Sequence, residues 1–255
     1  MMDAFYIPWM ASVLKPEEGE KERSLEGTQF TIPRSLSEST TPRFKLTFFP
    51  AKGMAEVIRL TLAYAGEPFI DNRIGFPEWE KRKHEVPFQQ MPFLEFDGKI
   101  LCQSAAIARF LAKQFNLAGK DLFEQAEVDA LVDLVKDFGV CIKPWVNSII
   151  KAYSNLPPEL DNISPAEGLL QYASPAIERY MPIFENLASK KTKSGFLFDG
   201  GITFADFGLV NVFEVMEAIL PEKMSKFENI KALKERIFAL PRLQKYLNER
   251  PKTIL

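Results

Sequence analysis

Along Arg43-Phe44-Lys45-Leu46-Thr47-Phe48-Phe49, the apolar residues Phe44, Leu46 and Phe48 alternate with polar ones, which is the periodicity of a β-strand. Pro50-Ala51-Lys52-Gly53 turns the chain and the period changes. Met54, Val57, Ile58, Leu62 and Ala65 fall on one helical stripe that closes at Gly66. Residues 69–74 predict a second strand. From Met91 the pattern gives a strand over Phe93-Leu94-Glu95-Phe96, a two-residue turn at Asp97-Gly98 and a return strand over Ile100-Leu101-Cys102. A helix follows through Ala105, Ala106, Ile107 and Ala108, with Gln103-Ser104 where an N-cap belongs. A serine hydroxyl and unpaired helical N–H groups suit a small carboxylate there, although many helices begin with serine and bind nothing.

After Asn116 the chain reads as helical throughout. Val128, Leu131, Val132, Val135, Phe138, Ile142, Trp145 and Ile149 keep a three-four spacing, which predicts one long amphipathic helix that forms core. A Pro/Asn/Asp-rich break covers 155–165, and helices follow around 166–189, 204–220, 229–240 and 243–249. Thr203-Phe204-Ala205-Asp206 has the spacing of a capping box, and a helix cap in the core is the reading of Thr203 and Asp206. Strand–helix–strand followed by strand–strand–helix resembles the thioredoxin-like α/β layout. The expected fold is therefore a thioredoxin-like domain followed by an all-helical domain.

Composition narrows the function classes. Hydrophobic residues make up 46% of the 255, enough for real cores. The 32 basic and 34 acidic residues nearly cancel, so there is no electrostatic footprint for nucleic acid. Cys102 and Cys141 lie in apolar sequence, which argues against a disulfide scaffold and fits a reducing compartment. The one histidine, His84, sits in a charged run and reads as a solvated surface residue, so no metal site and no Ser-His-Asp triad is expected. No run approaches the ~18 apolar residues of a membrane span. Residues 1–42 read as a flexible extension, rich in charge and in Ser, Thr and Gly from Lys15 onward. Its apolar patch at 5–14 lacks the basic start of a secretory signal; docking on a partner is the alternative to a disordered tail.

The segments KLTFFPAKGMAEVIRLTLAYAG, MPFLEFDGK, QSAAIARFLAKQFNLAGK, ITFADF and ERPKTIL resemble the cytosolic glutathione transferases. The sigma class, with the glutathione-dependent prostaglandin D synthases and lens S-crystallins, is the nearest match. The resemblance spans 43–255 and implies a glutathione-binding domain at 43–119, an all-helical domain at 120–255 and a cytoplasmic location. By resemblance, Gln103 and Ser104 hold the γ-glutamyl end of glutathione, in agreement with the carboxylate site read from helix capping. Met91 pairs through its backbone with the cysteinyl unit, just before the family's cis-proline, Pro92. Trp79 and Lys83 reach the glycyl end, and Gln90 stands where lysine or glutamine is usual. Asp137 matches an acid that contacts the γ-glutamyl amine from the opposite subunit, which implies a homodimer. Read singly, each has a plainer alternative: a surface lysine, an aromatic on a loop, a solvated helix acid. The partner substrate would be an apolar electrophile held near Phe48, Gly53, Met54, Gly139, Ile142 and Trp145.

Two departures fall in the site itself. The sigma-class tyrosine that donates its hydroxyl to the sulfur is Phe48 here, and an arginine usual near the sulfur is Met54. The turn after the first strand offers no hydroxyl or thiol in exchange. Lys52 and the N-terminus of the helix at 55–65 are the remaining sources of thiolate stabilisation. Three readings stay open: a weak transferase or isomerase, a carrier of glutathione or apolar ligands, and a structural crystallin-like protein.

Overall fold

Phe44–Phe48 (β1) forms because its alternating apolar residues find partners on both edges. It pairs in parallel with Phe69–Arg73 (β2) and antiparallel with Phe93–Phe96 (β3), which pairs antiparallel with Lys99–Cys102 (β4). The strand order is β2-β1-β3-β4. Glu56–Ala65 (α1) links the parallel pair and ends at Gly66, whose φ of 74° is the left-handed cap that the sequence predicts. Asp97 and Gly98 take φ values of 46° and 75°, the positive pair that a tight hairpin needs.

The computed structural model describes residues 42–153 and 163–253, all within the compact unit Glu38–Leu255. The flexible extension expected over 1–42 therefore lies outside the described residues except for Pro42, as does most of the break expected at 155–165. Phe76–Arg82 (α2) is a helix that the sequence reading left without an element. Ser104–Gln114 (α3) completes the sheet-bearing half. Leu122–Tyr153 (α4) is the long helix, and it carries Pro144 within it. Pro165–Gly168 (α5), a π-helical turn over 169–173 and Ser174–Ala188 (α6) follow. Phe204–Ile219 (α7), Pro221–Met224 (α8), Glu228–Phe238 (α9) and Pro241–Glu249 (α10) end the described chain.

The sheet is covered on both faces. Trp79, Val86, Phe93, Cys102 and Ile74 form a small core under α2. The other face joins a core that runs without interruption from Phe44 and Leu46 through Ile58 and Ile107 to Phe138, Phe184, Phe207 and Ile237. This is the thioredoxin-like layout packed against a helical half. Both cysteines are free, and no helix among the described residues is long and apolar enough to cross a membrane. Met54 corrects the helical stripe read from sequence: it is 57% exposed while Ile58 and Leu62 are buried.

α7 begins at the expected capping box. Asp206 accepts from the Thr203 N–H at 2.8 Å and the Thr203 hydroxyl at 2.7 Å, and also from the Leu197 N–H at 2.9 Å. Burial pushes its carboxyl from 3.8 up to about 6, against the pull of these hydrogen bonds. Between those two values the folded chain holds a proton that the unfolded chain has released, so stability falls as pH rises through this window. Asp206→Asn removes that contribution. We expect urea unfolding from pH 4 to 7 to give a stability-versus-pH slope more positive by up to about one proton in the variant; equal slopes would mean the carboxyl titrates at its ordinary value.

Candidate active site

Strand register gathers the residues singled out from the sequence at one end of the sheet. Thr47 stands opposite Phe93 across β1 and β3, and Phe93 stands opposite Cys102 across β3 and β4. The end of β1, the entry to β3 and the exit of β4 therefore lie side by side. Phe48, the Met91-Pro92 pair and Gln103-Ser104 occupy those three positions. At ~4.8 Å per strand, they span roughly 10 Å.

Each is held by local structure. The Met91-Pro92 bond is cis, as the resemblance implies. Gln103 takes a φ of 72° at the start of α3, and no side chain caps this helix. The first α3 N–H groups, beginning at Ser104, therefore have no intrahelical acceptor, and the dipole there favours an anion. The Gln103 side chain instead donates to Gln90 Oε1 at 2.9 Å, which ties the two glutamines together. Trp79 lies in α2 rather than on a loop, and it is only 7% exposed among Phe93, Cys102 and Met91. Lys83 follows one turn later and pairs with Glu80 at 2.8 Å on the surface. Asp137 sits apart from the group, on the exposed face of α4.

Phe48 is 7% exposed, and its ring packs edge-on against Phe49. A Cβ at Gly53 would fall 2.9 Å from its Cε1, and Gly53 has φ of 43°, so the turn after β1 requires glycine. Thr47 faces away, as alternation predicts, and accepts from Asn72 at 3.1 Å. Among the described residues, no group of three or more His, Cys, Asp or Glu is placed to hold a metal ion.

Comparison with known proteins points to one family. Residues 44–113 match the family model for the glutathione S-transferase N-terminal domain, and residues 150–250 match that for the C-terminal domain. The chain belongs to the glutathione S-transferase family. It is 34% identical over 212 residues to glutathione S-transferase 1 of Ascaris suum, covering 83% of this chain and 98% of that protein. Hematopoietic prostaglandin D synthase of Gallus gallus is 33% identical over 216 residues, covering 84% of this chain and all of the relative. The crystal structure of Na-GST-3 from the hookworm Necator americanus, described as monomeric, superposes with a TM-score of 0.73 at 37% identity; it covers 83% of this chain and 98% of that one.

Glutathione transferases use glutathione as co-substrate and depend on its thiolate, the reactive form of the thiol. In this transferase, both groups that the sequence offered beside Phe48 for stabilising a thiolate are already committed. Lys52 is buried and pairs with Glu214 at 3.2 Å. The N-terminus of α1 carries Glu56, fully buried in its first turn, whose charge already answers the dipole. Sequence reasoning missed two residues that shape this turn. Arg59, fully buried, donates to the carbonyls of Ala51 at 2.8 Å and Lys52 at 3.3 Å. Asn211 on α7 donates to the Gly53 carbonyl at 3.1 Å. Polar residues on helices ordinarily read as solvated, so only Arg59 and Glu56 three apart, beside otherwise apolar α1 positions, carried any signal.

Proposed function

We propose that this transferase binds glutathione across the sheet end and conjugates it, slowly, to apolar electrophiles. The observation that carries the reading is the register that sets Phe48, Met91-Pro92 and Gln103-Ser104 side by side. In it, the γ-glutamyl carboxylate accepts from Ser104 and the first α3 N–H groups, and Gln103 turns from Gln90 to the ligand. The Met91 backbone pairs with the cysteinyl unit. Lys83 exchanges Glu80 for the glycyl carboxylate beside Trp79, at little cost because the pair is exposed. The thiol then rests at Phe48 and loses its proton to water. The sulfur attacks the electrophilic carbon, and the electron pair leaves with the displaced group or settles on the acceptor. Isomerisation of an apolar substrate is the same activation without net loss of glutathione.

Calorimetric titration of glutathione, with a conjugation assay on the same sample, tests the proposal. We expect millimolar or tighter binding, weakened at least about tenfold in the Gln103→Ala, Ser104→Ala double variant, with slow turnover. No binding at millimolar glutathione would end it. Binding without turnover would favour a carrier, the reading supported by the ion pairs that already hold Lys52 and Glu56.

A homodimer in a reducing cytoplasm completes the reading, with Asp137 reaching the partner's γ-glutamyl amine. Its support is an unpartnered aromatic, Phe88, 61% exposed in the loop before β3, and a cavity of about 570 Å³ lined by Leu131, Leu134, Leu187 and Phe198. In this reading a second copy's Phe88 ring enters the apolar part of that cavity, whose wall also carries Lys120, Glu124, Glu127 and Lys190. Sedimentation should give twice the chain mass of 29.1 kDa, shifting toward one chain for Phe88→Ser. A wild-type monomer would end the dimer reading and leave Asp137 without a role.

A further inference from the structure

Buried side chains hold the carbonyls of the turn after β1. Arg59 donates to those of Ala51 and Lys52, and Asn211 donates to that of Gly53 at 3.1 Å. Among the described residues only Met91-Pro92 is cis, so the Gly53–Met54 peptide is trans and its N–H points opposite to its carbonyl. With the carbonyl turned to α7, the Met54 N–H is turned away from it. That N–H has no hydrogen-bond acceptor among the described residues. Its surroundings are those of the expected thiol. The Cζ of Phe48, the carbon that carries the hydroxyl in a tyrosine, lies 3.2 Å from where a Cβ at Gly53 would be. The Gly53–Met54 peptide therefore borders the place that a tyrosine hydroxyl would fill. Met54 is exposed, so a ligand reaches this turn without displacing a core residue.

Stability alone does not account for Asn211. It is 7% exposed on α7, which also buries Leu209, Val210, Phe213 and Met216, and its Oδ1 is buried without a partner. A buried amide oxygen without a donor destabilises the fold, and a leucine of similar size would carry no such penalty. What the carboxamide supplies and leucine cannot is a donor aimed at the Gly53 carbonyl. Donation to a carbonyl also polarises its peptide and strengthens the N–H at the other end.

We propose that Asn211 is a positioning residue of the transferase reaction: it holds the Gly53–Met54 peptide so that the Met54 N–H donates to the glutathione sulfur. The proposal rests on the reading that the thiol lies at Phe48. There the backbone donor stabilises the thiolate in part, where the phenyl ring offers no hydrogen bond. The test is the thiol pKa of bound glutathione, followed through the ultraviolet absorbance of the thiolate as pH is raised, with the full chain. Asn211→Leu removes the donor on α7, and Met54→Pro removes the N–H itself at an exposed position.

Each change should raise the bound-thiol pKa by about one unit and lower turnover near neutral pH about tenfold, with glutathione affinity little altered. Combined, they should raise the pKa no further than either alone, because both act through one N–H. An unchanged thiol pKa in Asn211→Leu, whatever its urea midpoint, would reduce Asn211 to a packing role and overturn the proposal. Full additivity of the two changes would overturn it too. If Asn211→Leu does not fold, Asn211→Ser, whose shorter side chain stops short of the carbonyl, supplies the same comparison. Failure of the wild-type chain to bind millimolar glutathione would end the transferase reading itself, whereas binding with a thiol pKa indifferent to Asn211 ends only this proposal.

Discussion

Phe48→Tyr should raise conjugation turnover about ten- to a hundredfold near neutral pH. A hydrogen bond to a charged group contributes roughly 1.5–3 kcal/mol. At ~1.4 kcal/mol per unit, a tyrosine hydroxyl at this position lowers the thiol pKa by about one to two units. The two alternative sources read from the sequence are occupied, Lys52 by Glu214 and the α1 N-terminus by Glu56. The check is the pH profile of kcat/KM for an aryl halide: its midpoint should move down by about one to two units, with the affinity for glutathione little changed. A variant whose turnover and midpoint both match wild type would show that the sulfur does not rest at the end of β1.

The largest stability effect is expected at Glu56. Its carboxylate is fully buried and accepts from Arg59 at 3.2 Å, Tyr246 at 2.9 Å and Arg250 at 2.6 Å. Arg59 in turn reaches Asp71 at 2.9 Å, and Arg250 reaches Glu214 at 2.6 Å. Glu56→Gln keeps the shape but leaves buried guanidinium groups short of charge, a loss of about 3–5 kcal/mol for a broken buried pair. Urea unfolding reads it directly. Pairing Glu56→Gln with Arg59→Met should cost less than the two single changes summed, because each then removes the other's stranded charge. Strict additivity would mean that the two residues do not act together.

Much of this molecule was legible in the chain because its elements advertise themselves by period. β1 and most of the α4 stripe bury the residues that the pattern marked, and Asp97-Gly98 makes the expected turn, although Ile100 on its return strand is 43% exposed. The capping box at Thr203 and the cap at Gly66 were legible because their chemistry is local. α2 was not, since Trp79 is its one buried residue and a single apolar position sets no period. The same limit hid the network around Glu56 and Arg59, whose partners lie up to 194 positions away. At the site, residue types were readable but their states were not. That Gln103 leans on Gln90, that Trp79 is packed into a core and that Lys52 is spoken for depend on contacts between distant segments.

The uninterrupted core described above reaches from β1 through α1 and α3 into α4, α6, α7 and α9. An apolar surface shared in this way cannot be separated without exposing both sides to water, so the two halves should melt together rather than in sequence. The sheet-bearing half is then not a portable module. Exchanging it for that of a relative would require the facing helices to be recut with it.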